Sequence, residues 1–243
     1  MSLTKKSFSH ILVTAIALGA ATSAQAALSL DRTRIIFDAS DPAVSFMVTN
    51  DNKSLPFLAQ IWLENGKGEK ITNGPLVVTP PIQRMEPEAK TQVKIVTTPE
   101  VNNLPKDRET LFYFNLREVP PKSTKPNTLQ IALQTKIKLF YRPEVIKIDS
   151  NQVWQNKLIL HKNNSGYLIE NPTPYYITIV GLGEDEKKSD KGEFKSVMVA
   201  PKSSIDVKTP TFASPWVTYI NDYGGRASLN FPCSGNKCFA IKK

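Results

Sequence analysis

Histidine and cysteine are scarce in this chain, with two of each among 243 residues. A Ser-His-acid triad needs a histidine placed between nucleophile and carboxylate, and a zinc site needs about four ligands. His10 lies in a leader-like stretch, so His161 alone is left for either task, with no nucleophile elbow beside it. An exported hydrolase acting through His161 is therefore a weak reading. Long apolar runs are lacking too: Ile11–Ala21 is about half of the roughly 20 residues that a spanning helix needs. Convincing amphipathic helices are absent, as are helix-turn-helix, zinc-finger and aromatic RNA-binding signatures. The excess of 31 Lys and Arg over 22 Asp and Glu thus points to no nucleic acid. Gly181-Leu182-Gly183 and Gly224-Gly225 read as turn glycines, since neither opens a helix after a strand. Glu184, Asp185 and Glu186 adjoin Lys187 and Lys188, a mixture that reads as a solvated hairpin loop over Glu184–Lys191 rather than a calcium site. No cofactor or metal is implied.

What is present begins with a secretory signal over residues 1–26. Lys5 and Lys6 give a positive start, the apolar stretch follows, and Ala24-Gln25-Ala26 has the small-x-small form of a cleavage site. Cleavage there leaves an exported, soluble chain from Ala27 with no membrane insertion. In such a compartment Cys233 and Cys238, flanking a Ser-Gly-Asn turn, are most simply a local disulfide; a metal site is the poorer alternative.

Strand patterns fill the rest. Leu28–Phe37, Val44–Asn50, Phe57–Glu64, Leu76–Thr79, Gln92–Thr97, Leu111–Glu118 and Leu129–Tyr141 are β-branched, aromatic or alternating, and Asn, Gly and Pro clusters separate them. Arg142-Pro143 ends the last of these, because proline cannot donate to a ladder and restricts its predecessor. A second set covers Lys157–His161, Gly166–Asn171, Tyr175–Leu182, Glu193–Val199, Ser204–Val207, Trp216–Asn221 and Ala227–Phe231. The chain reads as two all-β domains, 27–142 and 143–243, meeting at a one-residue hinge beside a cleft.

In the long run from Leu129, Leu129, Ile131 and Leu133 alternate with Gln130, Ala132 and Gln134, which lines one strand face with apolar side chains. That face can fill its own core or be lent to another protein. Several further segments bear on this choice: Leu30-Asp31-Arg32-Thr33-Arg34, Pro105-Lys106-Asp107-Arg108-Glu109, Lys136-Ile137-Lys138-Leu139-Phe140-Tyr141-Arg142-Pro143, Glu170-Asn171-Pro172-Thr173-Pro174 and Asn221-Asp222-Tyr223-Gly224-Gly225. Together, across the whole mature chain, they resemble the periplasmic pilus chaperones of the chaperone–usher pathway.

The resemblance implies two immunoglobulin-like β-sandwich domains arranged as a boomerang around an interdomain cleft. It implies no enzyme, but a periplasmic protein that binds, folds and caps pilus subunits by donor-strand complementation and passes them to an outer-membrane usher. Arg34 and Lys138 match the anchors for the subunit's C-terminal carboxylate, and Leu129, Ile131 and Leu133 match the donated side chains. Glu109, Arg142 and Asp222 match an interdomain ionic network. Pro56 matches a proline that covers the donor face when it is empty, and Leu58, Gln60, Thr79 and Pro81 match a surface shown to the usher. The short Pro120–Asn127 connection is similar to the branch that assembles rod-like pili. An unoccupied donor face could pair with itself as a homodimer. The other reading for such β domains is a structural pilus or adhesion component. One conflict follows from position alone: Lys138 is even and the donor residues are odd, so an unbroken strand puts them on opposite faces unless a bulge intervenes.

Overall fold

A computed structural model of the protein describes residues 26–149, 152–192 and 194–241; the expected signal, apart from Ala26, lies outside the described residues. The first sandwich comprises β1 (Leu28–Leu30), β2 (Arg34–Asp38), β3 (Ala43–Asn50), β4 (Phe57–Asn65), β5 (Leu76–Thr79), β6 (Ile82–Met85), β7 (Lys90–Thr97), β8 (Thr110–Val119) and β9 (Gln134–Arg142). They form a four-stranded sheet in the order β1-β3-β7-β5 and a five-stranded sheet in the order β2-β9-β8-β4-β6. Alternate residues fill the space between: Ile35, Phe37, Val48, Val93, Ile95, Phe114 and Leu139 are fully buried.

Two features differ from the sequence reading. Leu28–Phe37 is two strands, because the polar Asp31-Arg32-Thr33 step carries the chain from one sheet to the other. β1 runs antiparallel to β3, whereas β2 runs parallel to β9. The Asp31 carboxylate fixes the crossing by accepting from Met47 N at 3.0 Å and Arg32 Nε at 2.7 Å. The strand β6 went unread because it follows Pro80-Pro81 and buries only Met85 well.

The second sandwich comprises β10 (Ile159–Asn163), β11 (Gly166–Asn171), β12 (Ile177–Gly183), the short helix α1 (Glu186–Lys191), β13 (Val197–Val199), β14 (Ser203–Lys208), β15 (Trp216–Ile220), β16 (Arg226–Asn230), β17 (Cys233–Ser234) and β18 (Lys237–Phe239). Its sheets run β14-β11-β10-β18-β17 and β13-β12-β15-β16. Leu160, Tyr167, Ile169, Ile179, Val217 and Phe231 form the core. Cys233 and Cys238 are bonded as a disulfide between β17 and β18.

The polar run expected as a hairpin loop holds α1, capped by the Asp185 carboxylate on Lys188 N at 2.8 Å. Its one buried residue, Ser189, packs onto β12 so closely that Gly181 and Gly183 admit no Cβ. An added atom would sit 1.6 Å from Ser189 O or 2.5 Å from Ser189 N. These glycines therefore lie within a strand under a helix, not in a turn. Gly224, with φ +83°, does lie in a turn.

The two sandwiches are joined by residues 143–158 rather than by one hinge residue. Single-turn 3-10 helices at Glu144–Ile146 and Trp154–Lys157 interrupt this connection. It packs on the second sandwich: Trp154 is buried in that core, and Tyr175 Oη donates to Ile146 O at 2.7 Å. No helix among the described residues is long and apolar enough to cross a membrane.

Candidate functional site

The site is organised by β9, which lies between β8 and β2. The antiparallel register with β8 runs from Thr110↔Tyr141 to Arg117↔Gln134, and β2 covers only the far end, from Arg34↔Lys138 to Asp38↔Arg142. No bulge interrupts either ladder. Odd residues therefore face the first core and even residues the cleft: Ile137, Leu139 and Tyr141 are core residues, while Lys138, Phe140 and Arg142 reach toward the second sandwich.

The parity conflict resolves without any break. The apolar face of β9 serves its own core near Leu139 and then runs off the end of the sandwich. Exposure climbs along it, from 0% at Leu139 and 9% at Ile137 to 47% at Leu133, 64% at Ile131 and 85% at Leu129. The expected strand is shorter than its pattern, because the ladder begins at Gln134. Ahead of it Glu118 N still donates to Leu133 O at 3.0 Å, but β8 ends at Val119 and β2 has not begun. With no strand neighbour to pair among the described residues, the segment is tethered by Gln130, which donates to Pro121 O and accepts from Ser123 N at 3.1 Å.

Arg34 and Lys138 are register partners at the point where β2 starts, and both are half-buried. Among the described residues neither forms an ion pair. Arg34 Nη1 donates to Ile220 O at 3.4 Å and Lys138 Nζ to Thr178 Oγ1 at 3.2 Å, both acceptors in the second sandwich. Burial lowers the pKa of Arg34 despite the attraction of Asp222 and Glu109. Burial also lowers that of Lys138, and the neighbouring Arg34 charge adds to the effect. Two partly dehydrated cations side by side, with no ion pair of their own among the described residues, make a ready seat for a carboxylate.

Behind them the sandwiches are locked. Arg142 donates from Nη2 and Nε to Glu109 Oε1 at 2.7 and 2.9 Å, and from Nη1 to Asp222 Oδ2 at 2.9 Å. Glu109 Oε2 accepts from Tyr176 N at 2.7 Å, so this buried carboxylate bridges both domains. Phe140 stacks on Tyr176 at 5.5 Å, and the Arg142 guanidinium lies over Trp154 at 5.3 Å. Sequence reasoning missed these aromatic partners and also Lys202, which bonds Asp107 across the interface at 2.5 Å. The contact of Gly224 with Thr33 was missed as well; an added Cβ would lie 2.2 Å from Thr33 Oγ1. A glycine in the turn after Asp222 was the one local signal available for that contact.

The remaining assigned residues fall elsewhere. Pro56 lines a cavity of about 240 Å³ with Leu58, Val119 and Pro121, near the end of β8. Leu58 and Gln60 on β4 pair with Arg84 and Ile82 on β6, and Pro81 O accepts from Ile61 N at 2.8 Å. Leu58 and Gln60 thus lie on an inner strand, paired also with β8, while Thr79 ends β5 at the edge of the other sheet and Pro81 lies in the step from β5 to β6. His161 is paired on the surface with Glu170 at 2.8 Å.

Two immunoglobulin-like sandwiches around a basic cleft, with an apolar strand end projecting beyond one of them, define the class of protein. Residues 27–147 match the family model described as the pili and flagellar-assembly chaperone, PapD N-terminal domain. Residues 153–231 match that of the pili assembly chaperone PapD C-terminal domain. The chain belongs to the PapD family of pilus-assembly chaperones. It is 56% identical to chaperone protein PapD of Escherichia coli over 233 residues, covering 96% of this chain and 97% of that one. It is 45% identical to the probable fimbrial chaperone YfcS of Escherichia coli K12, over 89% of this chain and 86% of the other. Among solved structures, the CupB2 chaperone of Pseudomonas aeruginosa superimposes with a TM-score of 0.68 at 31% identity, covering 83% of this chain and 98% of that one.

Proposed function

We propose that this protein works in the periplasm as a capping chaperone: it lends the Leu129–Leu133 end of the β9 run to a pilus subunit and delivers the subunit to an outer-membrane usher. The observation that carries this reading is the unpaired edge of β9 ahead of Lys138, ending in the Arg34–Lys138 pair. The domains at work are 27–142, which holds the donor strand and Arg34, and 143–243, which closes the cleft.

The geometry supports one orientation for the guest. β2 is parallel to β9 and begins at Arg34. A guest strand filling the vacant edge in line with β2 runs the same way, and its C-terminal carboxylate meets Arg34 and Lys138. Each charge-assisted bond there contributes about 1.5–3 kcal/mol. Because the cations are already partly dehydrated, little further desolvation opposes capture. The anchor also sets register: a one-residue slip would turn Leu129, Ile131 and Leu133 away from the guest. Main-chain pairing along the edge discriminates little between sequences, which suits a chaperone serving several related subunits. None of these steps makes or breaks a covalent bond. Leu58, Gln60, Thr79 and Pro81 offer the usher a surface remote from the anchor, and Pro56 shields the donor end between guests.

The test is recovery of soluble complexes after co-expression with the cognate subunit. Arg34→Ala and Lys138→Ala should each cut complex yield about tenfold or more. Ile131→Asp, at an exposed position, should abolish capture while leaving the thermal transition unchanged. Wild-type yields from all three would sink the reading.

A further inference from the structure

A cavity of about 800 Å³ lies between the sandwiches on the cleft side of β2, and the anchor residue Arg34 is part of its wall. On β2, Ile35 and Phe37 turn into the core, so Arg34 and Ile36 face this cavity. The rest of the wall combines the apolar and aromatic Val153, Trp154, Tyr219 and Tyr223 with the polar Gln152, Gln155 and Asn221. Two of its three carboxylates are engaged: Asp31 holds Arg32 at 2.7 Å and Asp222 holds Arg142 at 2.9 Å, while Asp149 forms no ion pair among the described residues. The aromatic part of this wall suits apolar bulk beside Arg34, the one of three lining arginines without an ion pair among the described residues, in a space the size of a ligand pocket.

Tyr223 stands at this cavity with 81% of its surface exposed. The turn that presents it is firmly built. Asn221 Oδ1 accepts from Tyr223 N at 3.1 Å and Gly225 N at 2.8 Å, and Gly224 N donates to Asn221 O at 3.0 Å. The close approach of Gly224 to Thr33 fixes this turn against the first sandwich. A rigid, exposed tyrosine carries little ordering cost when it is covered, which is what favours tyrosine at binding hot spots.

A guest strand continuing the line of β2 turns alternate side chains toward the cleft. Resting on the carboxylate-anchor reading above, we propose that this cavity is a subsite for the side chain of the guest's last residue, that it selects large apolar or aromatic side chains, and that Tyr223 is its closing contact. The anchor then recognises that a chain ends, and the cavity recognises what it ends with.

The experiment titrates the mature protein with synthetic peptides of one alternating apolar sequence, ending in Gly or Phe, each as free acid and as amide. The Phe-ended acid should bind about tenfold more tightly than the Gly-ended acid, as burial of a large side chain requires. Tyr223→Ala should remove most of that preference, and Tyr223→Phe should keep it. Equal affinity of the two acids for the wild-type protein overturns the subsite and leaves the anchor standing. A preference undiminished in Tyr223→Ala overturns the role of Tyr223. Amides that bind as tightly as acids overturn the anchor itself, and failure of both acids to bind overturns both readings.

Discussion

Glu109 is the most constrained ionisable residue of the interface. It faces Arg142 on β9, the Tyr176 amide and the Tyr175 ring ahead of β12, Asp222 after β15 and, at longer range, Arg34 on β2. Burial dominates and pushes its pKa up to about 7, with Asp222 adding to the rise, against the pull of Arg142 and the Tyr176 N–H. A carboxyl with a raised pKa holds its proton more tightly in the folded form than in the unfolded one. Its linkage contribution is therefore favourable below the ordinary carboxylate range and is lost as pH rises to about 7. Wild-type thermal stability should fall relative to Glu109→Gln between about pH 4.5 and 7 and run parallel above that; melts across the range check this. Nothing local in the sequence marks this residue. Arg142 and the Tyr176 N–H that bond it lie 33 and 67 positions away, and Arg142 lies 80 from Asp222; only the family resemblance singled out Glu109, Arg142 and Asp222.

At the scale of elements, legibility followed how completely each element buries one face. β11, with Tyr167 and Ile169 fully buried, was read at its true bounds, Gly166–Asn171. β6, with one well-buried residue after two prolines, was not read. α1 escaped because a six-residue helix burying only Ser189 carries no apolar stripe. Its real signature was the Gly181-Leu182-Gly183 spacing, where the strand clears room for a helix backbone. Gly181→Ala should therefore destabilise the second sandwich by about 1–3 kcal/mol in denaturant titration, by forcing a Cβ onto Ser189 O. An unchanged midpoint would mean that α1 lifts away without cost. The candidate site was half legible in the same sense. The alternation named Leu129, Ile131 and Leu133, and parity put Lys138 opposite them. Where the core stops filling that face depends on the ends of β8 and β2, which no local pattern records.

The whole molecule carries a liability that its parts do not show singly. An unpaired strand edge and a climbing apolar face, 85% exposed at Leu129, sit on a chain otherwise well packed at both cores. A free edge of this kind pairs with whatever complementary edge is near, and in the absence of guest the nearest is a second copy. Burying Leu129, Ile131 and Leu133 against their symmetry mates would hide three large side chains per protomer, each contributing about 1.5–3 kcal/mol before the cost of association. The guest-free protein should accordingly pass from monomer to dimer with rising concentration in sedimentation equilibrium. Ile131→Asp should hold it monomeric, and a guest peptide with a free carboxylate should dissociate the dimer by taking the same edge. A dimer that persists in Ile131→Asp would place the contact elsewhere. The locked interface makes this competition sharp: with Arg142 bonded to both Glu109 and Asp222, Arg34 and Lys138 keep their places beside the edge. A guest that supplies both a strand and a terminal carboxylate should then outcompete a second chaperone whose contribution is a strand alone.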